Sequence, residues 1–215
     1  MVTRQEVYAM LSAKQGAELT ERFSRANMAI CGLGGLGSNI AIALARAGVG
    51  RLHLIDFDRI DLSNLNRQQY AMRQIGLFKT EALRDNLAEI APYCQVTITT
   101  ERLSEENIPT LLADDPIVCE AFDKAEAKAM LVNAVLEKFP EKWLVSASGM
   151  AGRDSANAIR TRRISRRFFL CGDEVSDIES SAELLSARVL ACASHQALTI
   201  LRIIAGDFDS PETKG

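Results

Sequence analysis

The chain has 215 residues, of which 47% are hydrophobic, and this length and composition predict one folded domain with a sizeable core. The formal net charge of -3 gives no overall positive field, so we do not expect a nucleic acid or a membrane as partner. The first residues lack the basic and apolar parts of a signal peptide, which predicts a cytoplasmic location. The five widely spaced cysteines favour neither a disulfide framework nor a paired zinc site.

Short apolar strands alternate with helices along most of the chain. A polar helical lead is predicted at 1–26, followed by a strand, a glycine-rich turn and a helix. Strands are predicted at 27–31, 52–55, 95–100, 117–122 and 143–148, and helices at 38–47, 79–91 and 124–139. This alternation predicts a Rossmann-like α/β domain, in which helices flank a mostly parallel, twisted sheet.

The last part of the chain departs from this alternation. Residues 157–163 and 167–171 predict an antiparallel pair, which would form a small extension of the sheet near the C-terminus. A long helix is predicted at 187–205. Its uncharged run contains polar residues and is shorter than the roughly 20 apolar residues that cross a bilayer, so we expect a buried helix. Residues 207–215 predict a loose tail of a single domain that covers 1–215.

A glycine-rich turn follows the first predicted strand. Gly32, Gly34 and Gly37 give the G-x-G-x-x-G spacing, and Gly35 lies in the same turn. Such glycines let the backbone approach a phosphate at a helix N-terminus, and an acid at the end of the second strand, here Asp56, can accept hydrogen bonds from a ribose. These features predict a nucleotide site. By themselves they fit an NAD-dependent dehydrogenase, and also a turn with a purely structural role.

The segment after Asp56 narrows the choice of chemistry. From Asp56 to Gln68 it reads D-F-D-R-I-D-L-S-N-L-N-R-Q, and G-L-F-K follows, ending at Lys79. From about 29 to 150 the chain resembles the ThiF, MoeB and HesA family, relatives of the ubiquitin-activating enzymes. Every fixed position of the family pattern D-x-D-x-(I/V)-x-x-S-N-L-x-R-Q and G-x-x-K is present. The chain is most similar to short ThiF proteins that lack the C-x-x-C zinc pairs.

The resemblance implies an ATP-dependent adenylyltransferase with a defined set of site residues. Members of the family join AMP to the C-terminal carboxylate of a small carrier protein and release pyrophosphate. Lys79 and Arg67 would place positive charge at the phosphates, where negative charge builds up during the transfer. Asp123, directly after a predicted strand, would bind Mg²⁺. Further implied contacts with ATP come from the glycine turn and from Asp56, Asp58, Asn64 and Gln68.

The implied partner is a small β-grasp sulfur carrier of the ThiS type, which ends in Gly-Gly and serves thiamine or a related sulfur pathway. The resemblance also implies a homodimer, and no zinc site is expected. Two other functions stay open. One is a tRNA threonylcarbamoyladenosine dehydratase, which would activate a carboxylate on tRNA, and the other is a nucleotide-binding scaffold without catalysis.

Several residues keep two interpretations. Asp58 could contact a ribose or a metal, or only cap its own turn, and Asp123 could cap the helix that follows it. Cys171 could transfer sulfur or lie buried in a strand. Residues 148–152, with two glycines, could admit the carrier tail. A basic cluster is a solvated surface, a docking edge for an acidic carrier, or a nucleic-acid patch, which the few aromatic residues nearby disfavour. It consists of Arg160, Arg162, Arg163, Arg166 and Arg167.

Overall fold

A seven-stranded sheet organises the computed structural model, which describes residues 2–176 and 183–207. The strands are β1 Asn27–Cys31, β2 Arg51–Ile55, β3 Gln95–Thr99, β4 Ile117–Glu120, β5 Trp143–Ala147, β6 Arg160–Ser165 and β7 Phe168–Gly172. The helices of the described residues are α1 Arg4–Gln15, α2 Ala17–Arg25, α3 Gly35–Ala47, α4 Lys79–Ile90, α5 Ile108–Leu111, α6 Ala125–Lys138 and α7 Ser186–Ala205.

The order of the strands is that of a Rossmann-like sheet with an addition at one end. They run β3-β2-β1-β4-β5-β7-β6, and every neighbouring pair is parallel except β6 and β7. The predicted fold class is therefore confirmed, including the antiparallel extension near the C-terminus.

Successive side chains of β1 pack into two different hydrophobic clusters, one on each face of the sheet. Met28 and Ile30 belong to one hydrophobic cluster, Ala29 and Cys31 belong to a second one, and all four residues are fully buried. Successive side chains of a strand point to opposite faces, so each face of this strand needs its own packing. Residues of α3, α4 and α7 complete the first cluster, and residues of α5 and α6 complete the second.

The carboxyl ends of the central parallel strands meet at one edge of the sheet. Cys31 at the end of β1 is paired with Ile55 of β2 on one side and with Glu120 of β4 on the other. The chain leaves β1 toward β2 and β3 and later returns to place β4 on the opposite side. In open α/β sheets ligands bind at this reversal of strand order, outside the carboxyl ends, so the fold places a ligand crevice between β1 and β4.

Several element boundaries differ from the predicted ones, and three of these differences concern the ends of elements near the candidate site or the sheet extension. α3 begins at Gly35 rather than at 38, with Gly34 as its N-cap. β4 ends at Glu120 rather than at 122, because the Glu120 carboxylate accepts the Phe122 N–H and turns the chain. β6 begins at Arg160 rather than at 157, because the preceding residues form a 3-10 turn. The predicted tail lies outside the described residues from position 208 onward.

Helix α7 is long and apolar enough to cross a membrane by length and composition, and it is the one such helix in the described part of the chain. Half of that stretch is buried in the protein. Its residues Val189, Cys192 and Ile200 join the core cluster that also contains α3. This packing fits the predicted buried helix.

Candidate nucleotide site

The glycine turn between β1 and α3 is closed tightly by its own backbone and by β4. Gly32 has a φ of +93°, and a Cβ there would lie 2.7 Å from the Ala121 oxygen. A Cβ on Gly37 would lie 1.8 Å from the Gly32 oxygen. Both positions therefore exclude a side chain. Gly34 caps α3 without a side-chain hydrogen bond, so the N–H groups of the first helical turn stay available to an anion.

Asp56 fastens this turn to the end of β2. Its buried carboxylate accepts hydrogen bonds from the N–H groups of Leu33, at 2.6 Å, and of Asp58, at 2.8 Å. Burial raises the pKa of this carboxyl, and the nearby charge of Lys79 and the two hydrogen bonds act in the opposite direction. The predicted ribose acceptor is thus held in one orientation beside the glycine turn.

The loop from 57 to 78 returns to the same turn. The Tyr70 hydroxyl donates to the Leu33 oxygen at 2.7 Å, and Asn39 of α3 donates to the Arg67 oxygen at 3.1 Å. Burial raises the pKa of Tyr70 well above its usual range, so the hydroxyl stays a neutral donor. Sequence reasoning misses this role of Tyr70, although the residue stands two positions after the end of the family pattern.

Gln68 is a buried amide beside the turn whose oxygen has no partner among residues 2–176 and 183–207. Its side chain is close to Gly34, where an added Cβ would lie 3.7 Å from Nε2. Only 8% of the residue is exposed, and Oε1 makes no hydrogen bond within the described residues. An unpaired buried polar group costs about 1–3 kcal/mol. Because a ligand could supply the missing partner, the environment of Gln68 fits its predicted contact with ATP.

Arg67 and Asn64 lie on the same loop, with their polar ends turned to local partners. The aliphatic part of Arg67 packs beside Gly35, where an added Cβ would lie 3.4 Å from Cγ. The Arg67 guanidinium donates to the Ser63 oxygen at 2.9 Å, and the Asn64 side chain accepts the Asp61 N–H at 3.0 Å. Charge-assisted hydrogen bonds are roughly twice as strong as neutral ones, so a phosphate at the turn would compete well for Arg67.

Lys79 begins α4 and forms an ion pair with Asp58. Its Nζ lies 2.8 Å from Asp58 Oδ2, and the lysine side chain is 7% exposed whereas the aspartate side chain is 48% exposed. Solvent can stabilise the aspartate when the pair opens, but it cannot reach the lysine as easily. Lys79 is therefore a buried cation whose counter-ion a phosphate could replace.

Asp123 follows β4 at the crevice between β1 and β4. The preceding residue touches the glycine turn, since a Cβ on Gly32 would lie 2.9 Å from the Phe122 ring. Asp123 itself is exposed and makes no hydrogen bond or ion pair with the residues that the structure describes. It does not cap α6, whose N-cap is Lys124. Its carboxylate is thus open to a ligand.

The predicted site residues therefore surround one turn. Arg67, Gln68 and Asp56 contact it directly, Lys79 is close enough to act on the charge of Asp56, and Asp123 follows the residue that packs on Gly32. Within 2–176 and 183–207, no group of three or more His, Cys, Asp or Glu is placed to hold a metal ion. The individual roles stay predictions.

A buried ionic cluster beside the turn is missed by sequence reasoning. Glu120 is fully buried, and its carboxylate accepts hydrogen bonds from Lys128, at 2.7 and 2.8 Å, from the Phe122 N–H, at 2.7 Å, and from Ser146. Buried charges are tolerated when they are paired in this way. The cluster fixes the turn that carries Asp123. Its signal in the sequence is a glutamate that ends an apolar strand, with a lysine eight residues later.

The loops after β5 and β7 are tied together at the same edge of the sheet. Arg188 at the start of α7 is 5% exposed and donates to the Asp173 carboxylate and to the Ala151 oxygen. The Asp173 N–H donates to the Gly149 oxygen at 3.0 Å. These bonds hold the segment 148–152, which is predicted to admit the carrier tail, in one conformation.

The cysteines lack the environment of a reactive thiolate. Burial raises the pKa of Cys171, whose neighbours are the hydroxyls of Thr161 and Thr199 rather than a cation. Burial also raises the pKa of Cys192 to about 12 and of Cys94 to about 11. Reactive cysteines are partly exposed and have lowered pKa values. The structure therefore favours a buried Cys171 over one that transfers sulfur.

Comparison with protein families identifies the group to which this site belongs. The model of the ThiF family matches residues 8–215. The chain belongs to the ThiF family. The match covers the glycine turn, the loop that carries Arg67 and Gln68, and Asp123, so the ThiF resemblance deduced from the motif is confirmed.

Two named ThiF relatives differ in what they act on. The tRNA threonylcarbamoyladenosine dehydratase of Escherichia coli K12 is 31% identical over 154 residues, which cover 70% of this chain and 56% of that protein. The molybdopterin-synthase adenylyltransferase of Salmonella typhimurium LT2 is 37% identical over 112 residues, which cover 52% of this chain and 45% of that protein. The chain thus spans about half the length of the curated relatives it matches.

Solved structures share the ThiF fold over nearly the whole chain. The E. coli tRNA threonylcarbamoyladenosine dehydratase TcdA, in complex with ATP, superposes with a TM-score of 0.84 and 20% identity, covering 99% of this chain and 100% of that chain. E. coli MccB with ATP gives a TM-score of 0.72 at 18% identity, covering 95% and 65%. At these identities the likeness shows the fold.

Proposed function

We propose that this protein is an ATP-dependent adenylyltransferase that activates the C-terminal carboxylate of a ThiS-like sulfur carrier as an acyl-adenylate. The observation that carries the proposal is the buried cation Lys79, whose partner Asp58 is half exposed and whose charge acts on Asp56, the acid bonded to the glycine turn. A triphosphate at the turn would supply the charge that replaces Asp58. The match to the ThiF family over residues 8–215 supports the same chemistry.

In the proposed reaction the carrier carboxylate attacks the α-phosphorus of ATP, and the bond to the pyrophosphate oxygen breaks. Negative charge builds up on the α-phosphate oxygens and on the leaving pyrophosphate. Lys79 and Arg67 would stabilise that charge, together with the N–H groups at the start of α3. No protein nucleophile is required, because the carboxylate of the partner attacks. The raised pKa of Cys171 is compatible with this scheme.

Magnesium would be bound by Asp123 and by phosphate oxygens of ATP. In nucleotide sites Mg²⁺ commonly keeps several waters and takes only one or two carboxylates besides the phosphates. Asp123 is exposed and unpaired within the described residues, at the crevice between β1 and β4, so it fits this role. The ion would add positive charge at the phosphates that Lys79 and Arg67 contact.

A direct test is to incubate the protein with ATP, Mg²⁺ and purified ThiS and to measure the mass of ThiS. We expect the mass to increase by one AMP, and we expect exchange of labelled pyrophosphate into ATP that depends on ThiS. ThiS without its C-terminal glycine is the matched control and should support neither. Tight ATP binding without any ThiS-dependent exchange would overturn the proposal and favour a non-catalytic scaffold.

A second candidate is a dehydratase that acts on threonylcarbamoyladenosine in tRNA. Two relatives with that name, from E. coli and Haemophilus influenzae, are 31% and 40% identical to this chain. The chemistry would be shared, since here too a carboxylate attacks ATP, and only the bearer of the carboxylate differs. AMP formation with modified tRNA and ATP, in the absence of any carrier protein, would select this function over the first.

The remaining parts of the proposal come from the family resemblance. They are a homodimer, a cytoplasmic location and a role in thiamine synthesis. Light scattering of the purified protein tests the first of these, and thiamine-dependent growth of a deletion strain tests the last.

A further inference from the structure

Among residues 2–176 and 183–207, β6 is an edge strand with one unpaired side. It is last in the strand order, and its one partner strand in this part of the chain is β7. The outer side of such a strand presents N–H and C=O groups that can pair with a strand of another chain. Residues 160–167 form this edge and its turn, and we call them the basic edge because they contain Arg160, Arg162, Arg163, Arg166 and Arg167.

We propose that the basic edge is the docking surface for the carrier protein, which adds an acidic strand alongside β6. The inference rests on the proposed function, because it assumes that the substrate is a folded carrier with a flexible tail. The folded part of the carrier would bind at the β6 end of the sheet, and the reaction would take place at the glycine turn.

Charge decides which partner fits this edge. A second copy of this chain would bring arginines opposite arginines, and like charges across a strand pair are destabilising. An acidic strand would instead gain both backbone hydrogen bonds and opposite charges. The arginines would thus exclude self-pairing and admit the partner.

An RNA backbone fits the basic edge less well than an acidic strand does. Arg162 is paired with the Glu174 carboxylate at 2.6 Å, and the Arg163 guanidinium donates to the Arg166 oxygen at 2.6 Å. Arg167 donates to the Glu141 oxygen at 2.5 Å. Tight RNA or DNA binding commonly uses about 6–10 phosphate contacts, and so many cations are not available here.

Two arginines of the basic edge are open to a partner. Arg160 and Arg166 form no side-chain hydrogen bond or ion pair with the residues that the structure describes, and both are exposed. They stand at opposite ends of β6, so an added strand would meet one cation at each end.

The distance to the glycine turn matches the reach of a short tail. β6 is four strands from β1 in the sheet, and a spacing of about 4.8 Å per strand gives roughly 19 Å. An extended tail of about six residues covers this distance at roughly 3.3 Å per residue. Its path along the carboxyl ends of β7 and β5 would pass residues 148–152, which are held by the hydrogen bond from the Asp173 N–H to the Gly149 oxygen.

The experiment compares two double charge reversals of equal size. Arg160→Glu with Arg166→Glu changes the basic edge. Arg4→Glu with Arg51→Glu is the matched control, since these arginines are also exposed and lie beside one cleft at the opposite edge of the sheet. For each protein we would measure the binding of labelled ThiS without ATP, and the KM for ThiS, the KM for ATP and kcat in pyrophosphate exchange. Thermal unfolding would check that both variants fold.

We expect the edge variant to bind ThiS at least 10-fold more weakly and to show a KM for ThiS raised by the same factor. The KM for ATP and kcat at saturating ThiS should stay within twofold of the wild type, and the control should change no value by more than twofold. Equal behaviour of the two variants would overturn the docking inference and leave a basic edge that only prevents aggregation. Binding of labelled tRNA would be measured alongside, and an edge variant that loses tRNA binding but keeps ThiS binding would also overturn the inference.

Failure of the proposed function gives a different result. In that case wild-type protein would bind ThiS through the basic edge but would show no ThiS-dependent exchange. Both fall if the wild type binds no ThiS at all, and the docking inference alone falls if exchange persists while the edge variant matches the wild type.

Discussion

The polar groups beside the glycine turn and the ion pair that ties the loops after β5 and β7 to α7 are arranged differently. Beside the glycine turn, Lys79 has a half-exposed partner and Gln68 has none within the described residues. In the C-terminal half, the side chains of Arg188 and Asp173 are only 4% and 9% exposed, and they satisfy each other and the neighbouring backbone. The contrast teaches that the first set is arranged to exchange its partners for a ligand, whereas the second set holds loops in place.

The largest expected effect is on chemistry and comes from Lys79→Ala. Removing a well-placed cation from a phosphoryl-transfer site commonly lowers the rate by about 10³-fold or more. We therefore expect Lys79→Ala to nearly abolish pyrophosphate exchange. Arg67→Ala and Asp123→Ala should each have the same effect. Exchange kinetics at saturating ATP measure this effect. Arg84→Ala on the same helix removes an exposed ion pair with Asp85 and serves as the control. Near-normal exchange in any of the three variants would refute the role of that residue.

The next largest effect is on stability and comes from Asp173→Asn. The substitution leaves the buried Arg188 guanidinium without its charge partner, and breaking a buried pair commonly costs about 3–5 kcal/mol. We expect the free energy of unfolding, measured with urea at pH 7, to fall by an amount of this order. The KM for ATP of the folded enzyme should change little. Glu174→Gln, which breaks a more exposed pair with Arg162, is the control and should leave the unfolding midpoint almost unchanged.

The effect of Asp173→Asn should also depend on pH. Burial alone would raise the pKa of Asp173, but hydrogen bonds from Ser176, Val175 and Arg188 together lower it below its ordinary value of 3.8. A carboxyl with a lowered pKa in the folded state contributes stability above the unfolded value and loses it as the pH falls through the folded value. The difference between wild type and variant should therefore be constant near pH 7 and should shrink below about pH 4. A difference that persists unchanged under acid would contradict the ion-pair explanation.

Gln68→Leu should produce the opposite pattern to Asp173→Asn. The leucine removes an amide that has no partner in the described residues, so the free energy of unfolding should stay level or rise. The KM for ATP should rise about 5–20-fold, because one or two hydrogen bonds to the ligand are lost. Gln69→Leu is a matched control, since Gln69 donates to Asn39 at 2.6 Å and should lose stability instead. A clear loss of stability in Gln68→Leu would show that the amide has a structural partner.

The sequence predicts β1, the glycine turn and β2 well, because these elements depend mostly on the residues within them. Gly37 is required by contacts with Gly32 and Ile30, Gly32 by its own φ of +93°, and β1 and β2 lie within one residue of their predicted bounds. The start of α3 is predicted too late because three glycines suggest a turn. In the structure Gly35 and Gly37 are already helical.

Contacts between distant residues are what the sequence alone cannot supply. The motif suggests that Asp58 and Lys79 each contact the nucleotide, but not that they pair with each other across 21 positions. The Glu120 cluster likewise joins β4, β5 and α6. Its members lie far apart in the sequence, so their hydrogen bonds can be recognised only in the folded structure. The basic edge could be predicted in part. Its five arginines are visible in the sequence, whereas their position on and beside an edge strand is known only from the structure.

The smallest expected effect concerns the cysteines and tests whether the C-terminal half has any reactive group. Cys31, Cys119, Cys171 and Cys192 are buried, and burial raises the pKa of each of them. Cys94 is partly exposed, but burial raises its pKa to about 11, so its thiolate is scarce at pH 7. We expect iodoacetamide to label Cys94 slowly in the native protein and the other four only after unfolding, as measured by peptide mass spectrometry. Rapid labelling of Cys171 would instead restore a sulfur-transfer role and would erase the contrast between the two halves.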